Sequence, residues 1–469
     1  MRSSRILGTP HPNRTLAVLL LAGLAYAVSQ TAVIPALPHI QRDLGTTESG
    51  VTWTMSGFFV AAAITTGIFG RLGDMHGKKT VLMVVLSIFA AGSLLSALSS
   101  SIGMLVAGRV IMGAGGAVFP LAFAIARDEM PRERIPTAMG LLSAVIGVGA
   151  GLGLLAGGAI SDHSDYSLIF WLVCGLAAIA LTSTALFVPA SPLRAPAPLD
   201  LTGAALLSVG LAGPLVAISE AGTWGWGSAR TLGVTALGVA VLGLFARYER
   251  GHHAPLVHMP TFVRRQILTT NATTLLAGFG LFGSSLLSAQ FVQGSGHGYG
   301  FGATATQAGL FLLPASLVML LASMYAGRLG ERIGARGVLV VGAIAATAGL
   351  VLLGVAHDER LEVYIWNSLV YLGVGLVSSA TPVLIIGGVD AERTAESTAT
   401  NTIVRYIGSS LGAQVAASII TTSALKHGGA PTDDAFTVAF LVGAAGTAAA
   451  LVTAFVIPNY RHAAATAAA

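Results

Sequence analysis

The chain has 469 residues, of which 54% are hydrophobic and only 10% are charged, and its formal net charge is +5. Soluble domains average about 25% charged residues, so this composition excludes an ordinary water-soluble protein and predicts a surface that faces lipid. The basic residues are scattered between apolar runs, which argues against a nucleic-acid-binding protein. The single cysteine, Cys174, excludes an intrachain disulfide and a cysteine-based metal site.

Apolar runs long enough to cross a bilayer, about 17–25 residues each, follow one another along the chain. Lipid offers no partner to a free backbone amide, so these runs are predicted to be α-helices. Fourteen are predicted, at 15–37, 51–70, 80–98, 103–126, 137–160, 168–190, 201–219, 231–247, 267–290, 306–326, 337–356, 363–388, 398–421 and 435–457. The predicted fold class is an all-α integral membrane protein.

The distribution of basic residues predicts how these helices are oriented. With the N-terminus inside, 19 of the 25 Lys and Arg residues fall on the inner side and 4 on the outer side, while Arg109 and Arg405 lie within spans. This positive-inside bias predicts a multi-pass protein of the cytoplasmic membrane with both termini in the cytoplasm. A signal peptide cleaved after Ala27 is the alternative, and it would leave thirteen spans.

One polar decapeptide occurs twice, as "GRLGDMHGKK" at 70–79 and "GRLGERIGAR" at 327–336, 257 residues later. Each is expected to form a tight cytoplasmic turn between two helices. The spacing predicts two six-helix bundles, 1–192 and 263–469, with two helices inserted at 193–262. Parallel repeats of this kind build many secondary transporters, whose substrate site lies near mid-membrane. A loop that only sets the topology is the alternative.

The first decapeptide is similar to the loop motif G-x-L-x-D-x-x-G-R/K-R/K of the major facilitator superfamily, matched here by Gly70, Leu72, Asp74, Gly77, Lys78 and Lys79. "GRVIMGAGG", which contains Arg109, and "GLLAGG" at 153–158 resemble signatures of its fourteen-helix drug:proton antiporter branch. The chain departs from these patterns at Met112, where glutamine is usual, and at Leu154, where proline is usual. Ser29 stands where the branch commonly has an aspartate.

The resemblance implies an exporter that exchanges its substrate for protons by alternating access. It also implies that Asp74 caps the matching helix of the other half, near Ser397, and that Lys78 and Asp128 extend this charge chain. The glycine-rich span at 137–160 is interpreted as a rocking seam between the halves, with plain packing as the alternative. The candidate conformational and coupling residues are Gly70, Asp74, Gly77, Lys78, Asp128, Gly153, Gly157, Gly158, Glu220, Gly327, Glu331 and Arg332.

A charge inside the bilayer costs about 2.5–3.5 kcal/mol or more, so Arg109 is expected to face a cavity or a partner. Hydrogen bonds to backbone carbonyls of the first helix are the structural alternative. A cavity with arginine and no acid disfavours lipophilic cations, so the predicted substrate is a neutral, zwitterionic or anionic amphipathic compound. The candidate substrate contacts are Tyr26, Gln30, Trp53, Arg109, Gln290, Gln293, Asn367, Tyr371 and Arg405.

All 20 Asp and Glu residues fall at or beyond predicted span ends, which leaves Asp74 and Glu220 as candidate proton carriers. The expected function is a monomeric exporter of drug-like molecules that uses the proton gradient and needs no cofactor, metal or nucleic acid. A transporter of the same fold without proton coupling, a facilitator or a metabolite exporter or importer, is the first alternative. A membrane sensor is the second. An enzyme is not expected, because no nucleophile constellation or metal cluster is apparent.

Overall fold

The computed structural model describes residues 12–46, 48–190, 200–252, 255–294, 299–390, 393–426 and 431–458, and every regular element in these ranges is helical. Thirteen long helices are α1 (Pro12–Thr31), α2 (Glu48–His76), α3 (Lys78–Ala97), α4 (Ile102–Glu129), α5 (Ile135–His163), α6 (Ser167–Phe187), α7 (Leu201–Ser219), α8 (Ala229–Gly251), α9 (Arg265–Gln293), α10 (Ala305–Val355), α11 (Arg360–Gly387), α12 (Thr394–Lys426) and α13 (Asp433–Val456). Short helices occupy Ile34–Ala36, Leu37–Asp43, Arg132–Arg134, Ala221–Trp224 and Met259–Phe262, and α4 contains a 3-10 turn at Gly113–Ala117.

Within the described ranges, twelve helical stretches are long and apolar enough to cross a membrane. One of them, Thr306–Val355, has 50 residues. A helix of that length would extend about 75 Å, far more than a hydrocarbon core of about 30 Å requires. Its helical path is interrupted at Gly334, and the 29-residue α9 lies outside the set of twelve. The predicted count of fourteen, with two inserted helices, stays a prediction.

Both decapeptides are helical except at their eighth residue. Gly77 (φ 98°) separates α2 from α3, and Gly334 (φ 78°) interrupts α10 at the corresponding position. Glycine adopts positive φ without the steric cost that a Cβ atom imposes. The expected ten-residue turn is therefore a break of a single residue, and the charged residues around it lie on helix ends.

The buried apolar residues fall into clusters that follow the chain. The largest cluster lies in α1–α6 and contains the fully buried rings of Tyr26, Phe58 and Phe119, while a second lies in α9–α13. A third joins α7 and α8 to α2 and α12, through residues such as Leu207 and Ile403. The predicted boundary at 192/193 lies outside the described residues, and the domain division stays a prediction.

Both decapeptide breaks lie on one side of the molecule. Lys78, next to Gly77, pairs with Asp128 near the end of α4. The chain then leads directly into α5, whose Thr137 lies beside Gly327. We call this the inner side, and the opposite side the outer side. The bias of basic residues predicts that the inner side faces the cytoplasm.

Candidate functional site

Asp74, at the inner end of α2, reaches across to α12 in the other half of the chain. The side chain is buried, and Oδ2 accepts a hydrogen bond of 2.9 Å from the backbone N–H of Glu396. Glu396 is the third residue of α12, which begins at Thr394. The first N–H groups of a helix lack intrahelical partners and carry partial positive charge, so a carboxylate there is favourable. Asp74 thus lies at the N-terminus of the helix that the resemblance implied. The contact is with Glu396, one residue before the expected Ser397.

Gly70 allows this close approach of α2 to α12. A Cβ atom at Gly70 would lie 2.5 Å from Ala399 Cβ and 3.1 Å from the Ala395 carbonyl oxygen. The first distance is shorter than any normal contact and the second is at its lower limit. A side chain at this position would therefore hold the two helices apart. The glycine therefore lets the Asp74 carboxylate reach the α12 backbone.

Further charged residues surround this contact. Lys78 Nζ lies 2.6 Å from Asp128 Oδ2 and both side chains are buried, so these two predicted residues form an ion pair. Arg71 lies 3.6 Å from Glu396 Oε2. Arg127, at the end of α4, donates to Thr394 Oγ1 and, at 3.3 Å, to the Val389 carbonyl.

We call the cross-half contacts of Arg71, Asp74 and Arg127 with Thr394 and Glu396 the inner latch. Sequence reasoning missed Arg71 and Arg127, which were counted only as topological charges. A signal for Arg71 existed, because it precedes Asp74 by three residues and so shares one helix face with it.

Among the residues that the structure describes, the second decapeptide forms no equivalent latch. Glu331, at the position that corresponds to Asp74, is exposed, and so is Arg332. A Cβ atom at Gly327 would lie 3.5 Å from Thr137 N, an ordinary contact distance. The helix at this place, α5, starts after Arg134 without a side-chain cap. Both turns were expected to hold the halves together. Among the described residues, a carboxylate contact between the halves is found at the first turn and not at the second.

The glycines of α5 lie on two different faces. A Cβ atom at Gly140 would overlap the Ser323 carbonyl oxygen of α10, and Gly147 and Gly151 face α10 in the same way. Gly153 and Gly157, the residues singled out from the sequence, pack instead against α1 of the same half, and Gly158 is buried in α5. Within the span interpreted as a seam, Gly140, Gly147 and Gly151 thus face the other half, whereas Gly153 and Gly157 face α1.

The close packing of α5 against α10 predicts that one added methyl group at Gly140 will reduce transport. Gly140→Ala places a Cβ against backbone of α10, which cannot rotate away, so α5 and α10 must separate at their inner ends. Overpacking of this kind costs about 1–3 kcal/mol, which shifts a two-state equilibrium by roughly 5- to 150-fold. We expect transport to fall by about tenfold while membrane insertion is kept, as measured by uptake at matched protein levels.

Gly175→Ala is the matched control, because a Cβ atom at Gly175 in α6 meets nothing within 4 Å. It should transport like the wild-type protein. Equal transport by the Gly140 and Gly175 variants would show that α5 and α10 need not approach closely at their inner ends.

At the centre of the molecule the halves meet through two tyrosines. Tyr26 of α1 and Tyr406 of α12 share a hydrogen bond of 2.8 Å between their hydroxyl groups, and both rings are buried. The Arg405 guanidinium lies 5.7 Å from the Tyr406 ring centroid. Tyr26, a predicted substrate contact, is therefore one member of a tyrosine pair that joins the halves, and the predicted contact Arg405 lies beside this pair. The other member, Tyr406, was not predicted.

Arg109 is fully buried within the first half. Its Nε donates to the Thr54 carbonyl at 2.9 Å, a terminal nitrogen donates to the Ser29 carbonyl at 3.0 Å, and the guanidinium lies 4.1 Å from the Phe58 ring centroid. These contacts match the structural alternative, in which backbone carbonyls satisfy the charge. In this structure Arg109 joins α1, α2 and α4 and does not reach the second half.

The other predicted contacts do not converge on one site. Asn367 accepts a hydrogen bond of 2.9 Å from Ser288, inside the second half. The remaining residues differ in exposure: Gln30 and Tyr371 are buried, Trp53 and Glu220 are half-buried, and Gln290 and Gln293 are exposed near the outer end of α9.

Comparisons with known proteins agree with this architecture. The sequence matches the Major Facilitator Superfamily over residues 19–413. It is 30% identical to an uncharacterised MFS-type transporter of Mycobacterium tuberculosis, over 87% of this chain and 59% of that protein, so the chain spans about three fifths of that relative. It is 28% identical to the tetracenomycin C resistance and export protein of Streptomyces glaucescens, over 88% of this chain and 76% of that protein.

Two solved structures have the same fold. The human organic anion transporter MFSD10 (TETRAN) superposes with a TM-score of 0.66 at 20% identity, over 96% of this chain and all of that one. The proton:xylose symporter XylE gives 0.69 at 13% identity, over 95% and 96% of the two chains. The sequence match covers most of the chain and the helices are those of a multi-span membrane protein. The chain therefore belongs to the Major Facilitator Superfamily.

Proposed function

We propose that this transporter exports amphipathic, drug-like small molecules across the cytoplasmic membrane by alternating access, in exchange for protons. The names of its relatives support export, since they include a tetracenomycin C resistance and export protein and several multidrug resistance proteins. The chain covers about three quarters of the length of these relatives.

The inner latch is the observation that carries this proposal. The halves are held together there by hydrogen bonds and an ion pair, including Asp74 to the Glu396 amide and Arg127 to Thr394. Polar contacts of this kind can exchange for water when a cleft opens, whereas each half keeps its own apolar core. Breakable polar contacts at the inner ends of two bundles suit a rocking motion that opens the inner side.

The centre of the molecule supports a substrate without net positive charge. Arg405 and Arg109 lie near the Tyr26–Tyr406 pair. The described Asp and Glu residues lie near or beyond helix ends, except for Glu331, which lies beside the break of α10 at Gly334. A desolvated cation would lack an anionic partner there. We therefore propose neutral, zwitterionic or anionic amphipathic substrates.

Proton exchange supplies enough energy for such a substrate. A membrane potential of about 100 mV provides roughly 2.3 kcal/mol per proton, and one pH unit adds about 1.4 kcal/mol. Together these could hold a neutral compound roughly 500-fold out of balance.

Transport into inverted membrane vesicles tests the proposal. We expect a labelled neutral or anionic amphipathic compound to accumulate when the vesicle lumen is acidic, and an ionophore that collapses the gradient to abolish this accumulation. Candidate compounds come from a susceptibility panel that compares cells with and without the gene. Protection confined to permanently charged lipophilic cations would contradict the substrate class.

A facilitator without proton coupling is the second candidate function. The positions of the acids favour it, because proton pathways through membranes normally use intramembrane titratable groups. Apart from Glu331, which lies three residues before the break at Gly334, the described Asp and Glu residues lie near or beyond the ends of the candidate spans. In the same vesicles a facilitator would bring the substrate only to equal concentrations, whatever pH gradient is imposed.

A further inference from the structure

Two buried carboxyl groups lie beside the inner latch, on helices that the site described above does not use. Asp200 caps α7, where Oδ1 accepts a hydrogen bond of 2.8 Å from the Gly203 N–H. Glu249 lies near the inner end of α8. Their residues are only 5% and 2% exposed, so neither carboxyl is solvated as a surface acid would be.

The two carboxyl groups face each other across Gly203. Asp200 Oδ2 and Glu249 Oε1 both lie within 2.5 Å of the point that a Cβ atom at Gly203 would occupy, so the oxygens are no more than about 5 Å apart. Each is buried, and neither has a hydrogen-bond partner among the described residues. Two unpaired acceptors of like charge at this distance repel each other, and removing them from water makes the repulsion stronger.

We propose that Asp200 and Glu249 hold one proton between them, carried on the Glu249 carboxyl group, and that this pair is a proton-binding site of the transporter. The assignment of the pair to transport rests on the proton exchange proposed above. One proton leaves a single negative charge on the pair and so removes the repulsion between the two carboxylates. Binding adds one H⁺ to a carboxylate and release returns it to water, so no other reactant is needed.

The neighbouring groups favour Glu249 over the other acids as the carrier. Asp74 accepts backbone N–H donors from α12, and Glu396 accepts the His258 N–H at 2.6 Å and faces Arg71. These donors and the Arg71 guanidinium favour the charged forms of the two acids and partly offset the cost of their burial. Glu249 accepts a longer hydrogen bond, of 3.4 Å, from the Val257 N–H, and the Leu256 backbone also lies beside it.

Other charged or titratable groups also face the pair. Tyr248 donates to Asp200 Oδ1 at 3.1 Å, and His252 Nε2 lies 3.8 Å from Oδ2. Arg71 approaches from α2, and Arg393 lies near Glu396. Burial, with Arg393 and Arg264 nearby, lowers the pKa of His258, so its ring adds no positive charge at neutral pH.

The pair is connected to the inner latch by two consecutive backbone amides. The Val257 N–H donates to Glu249 Oε2, and the next amide, that of His258, donates to Glu396 Oε1. Glu396 in turn supplies the N–H that binds Asp74. Loss of the proton would draw the Val257 amide toward a fully charged Glu249 and so disturb the contacts of Glu396. The protonation state of the pair is thereby coupled to closure of the inner side.

Infrared spectroscopy of the full-length protein in lipid nanodiscs tests the proposal without any substrate. The carbonyl stretch of a protonated carboxyl group is separate from the stretches of a carboxylate. We expect the wild-type protein at neutral pH to show this band, and Glu249→Gln to lose one carboxyl equivalent of it. Asp200→Asn should lose it too, because its amide N–H can donate to Glu249 Oε1 while its oxygen still caps α7.

Glu133→Gln is the matched control, since Glu133 is exposed on the inner side, and its band should equal that of the wild type. Absence of the band from the wild-type protein would overturn the proposal. That result would be obtained if a sodium ion or a water molecule, and not a proton, lay between the two carboxyl groups. An unchanged band in Glu249→Gln or Asp200→Asn would also overturn it.

Vesicle transport separates this inference from the proposed function. Glu249→Gln should lose accumulation driven by a pH gradient but keep exchange of labelled for unlabelled substrate at equal pH. If the wild-type protein ignores the gradient yet shows the band, the proposed proton exchange fails and the carboxyl pair stands. If Glu249→Gln keeps full gradient-driven accumulation, the pair has no part in the exchange.

Discussion

Replacing Asp74 with asparagine is expected to reduce transport by roughly tenfold while the protein still folds and inserts. The variant keeps an oxygen that can accept the Glu396 N–H, but it loses the negative charge at the α12 N-terminus. A carboxylate at a helix N-terminus contributes about 0.3–2 kcal/mol, and 1.4 kcal/mol is a factor of ten in an equilibrium. Because the contact exists only when the inner side is closed, its loss disfavours one state of the cycle. Initial uptake rates at matched protein levels measure the effect.

Glu331→Gln is the matched control for this prediction. It removes the acid at the same position of the second decapeptide, where the side chain is exposed. We expect it to transport within about twofold of the wild-type protein, as surface charges contribute little. Wild-type transport by Asp74→Asn, or an equal loss in both variants, would contradict the role of the inner latch.

Replacing Lys78 with alanine is expected to destabilise the protein by about 3–5 kcal/mol, the usual cost of removing one partner of a buried ion pair. Its Nζ lies 2.6 Å from Asp128 Oδ2, and the two side chains are 1% and 4% exposed, so the variant leaves a buried carboxylate without its cation. Thermal unfolding of purified protein in detergent measures the change.

The double variant Lys78→Met with Asp128→Leu should recover most of this loss, because it removes both charges together. Lys79→Ala is the single-site control, since this half-buried neighbour donates a hydrogen bond of 3.0 Å to the Ala185 carbonyl at an exposed position. Equal unfolding temperatures for the Lys78 and Lys79 variants would show that the buried pair contributes little.

The helices and their breaks follow directly from the sequence. Apolar runs located most of the long helices, with ends up to about six residues away, although the runs 306–326 and 337–356 form the one helix α10. Gly77 marks the first break because positive φ favours glycine. The placement of Asp74 near the start of α12 came from the loop motif rather than from any local pattern.

The glycines of α5 show why packing partners could not be predicted. A helix turns about 100° per residue, so Gly140 and Gly147 face one neighbour while Gly153 and Gly157 face another. The spacing identifies close-packed faces, but only the tertiary arrangement decides which face meets the other half.

Asp200 and Glu249 show a similar limit for charge. Both lie at the ends of predicted spans, where an acid is normally solvated, and sequence reasoning treated them accordingly. In the folded protein α7 and α8 pack against α2 and α12, and this packing buries both carboxyl groups. Arg109 is the opposite case, since its charge suggested a cavity but is satisfied by backbone carbonyls.

The most direct test of alternating closure is a pair of spin-label distances in one background. Cys174, the only native cysteine, is replaced by alanine, and labels are placed either at His76 and Asp390 on the inner side or at Ser164 and Asp358 on the outer side. We predict two populations of label-to-label distance for each pair, with the inner distance long when the outer distance is short. Asp74→Asn should increase the population with the long inner distance. A single population at both positions, or inner and outer distances that lengthen together, would contradict the account.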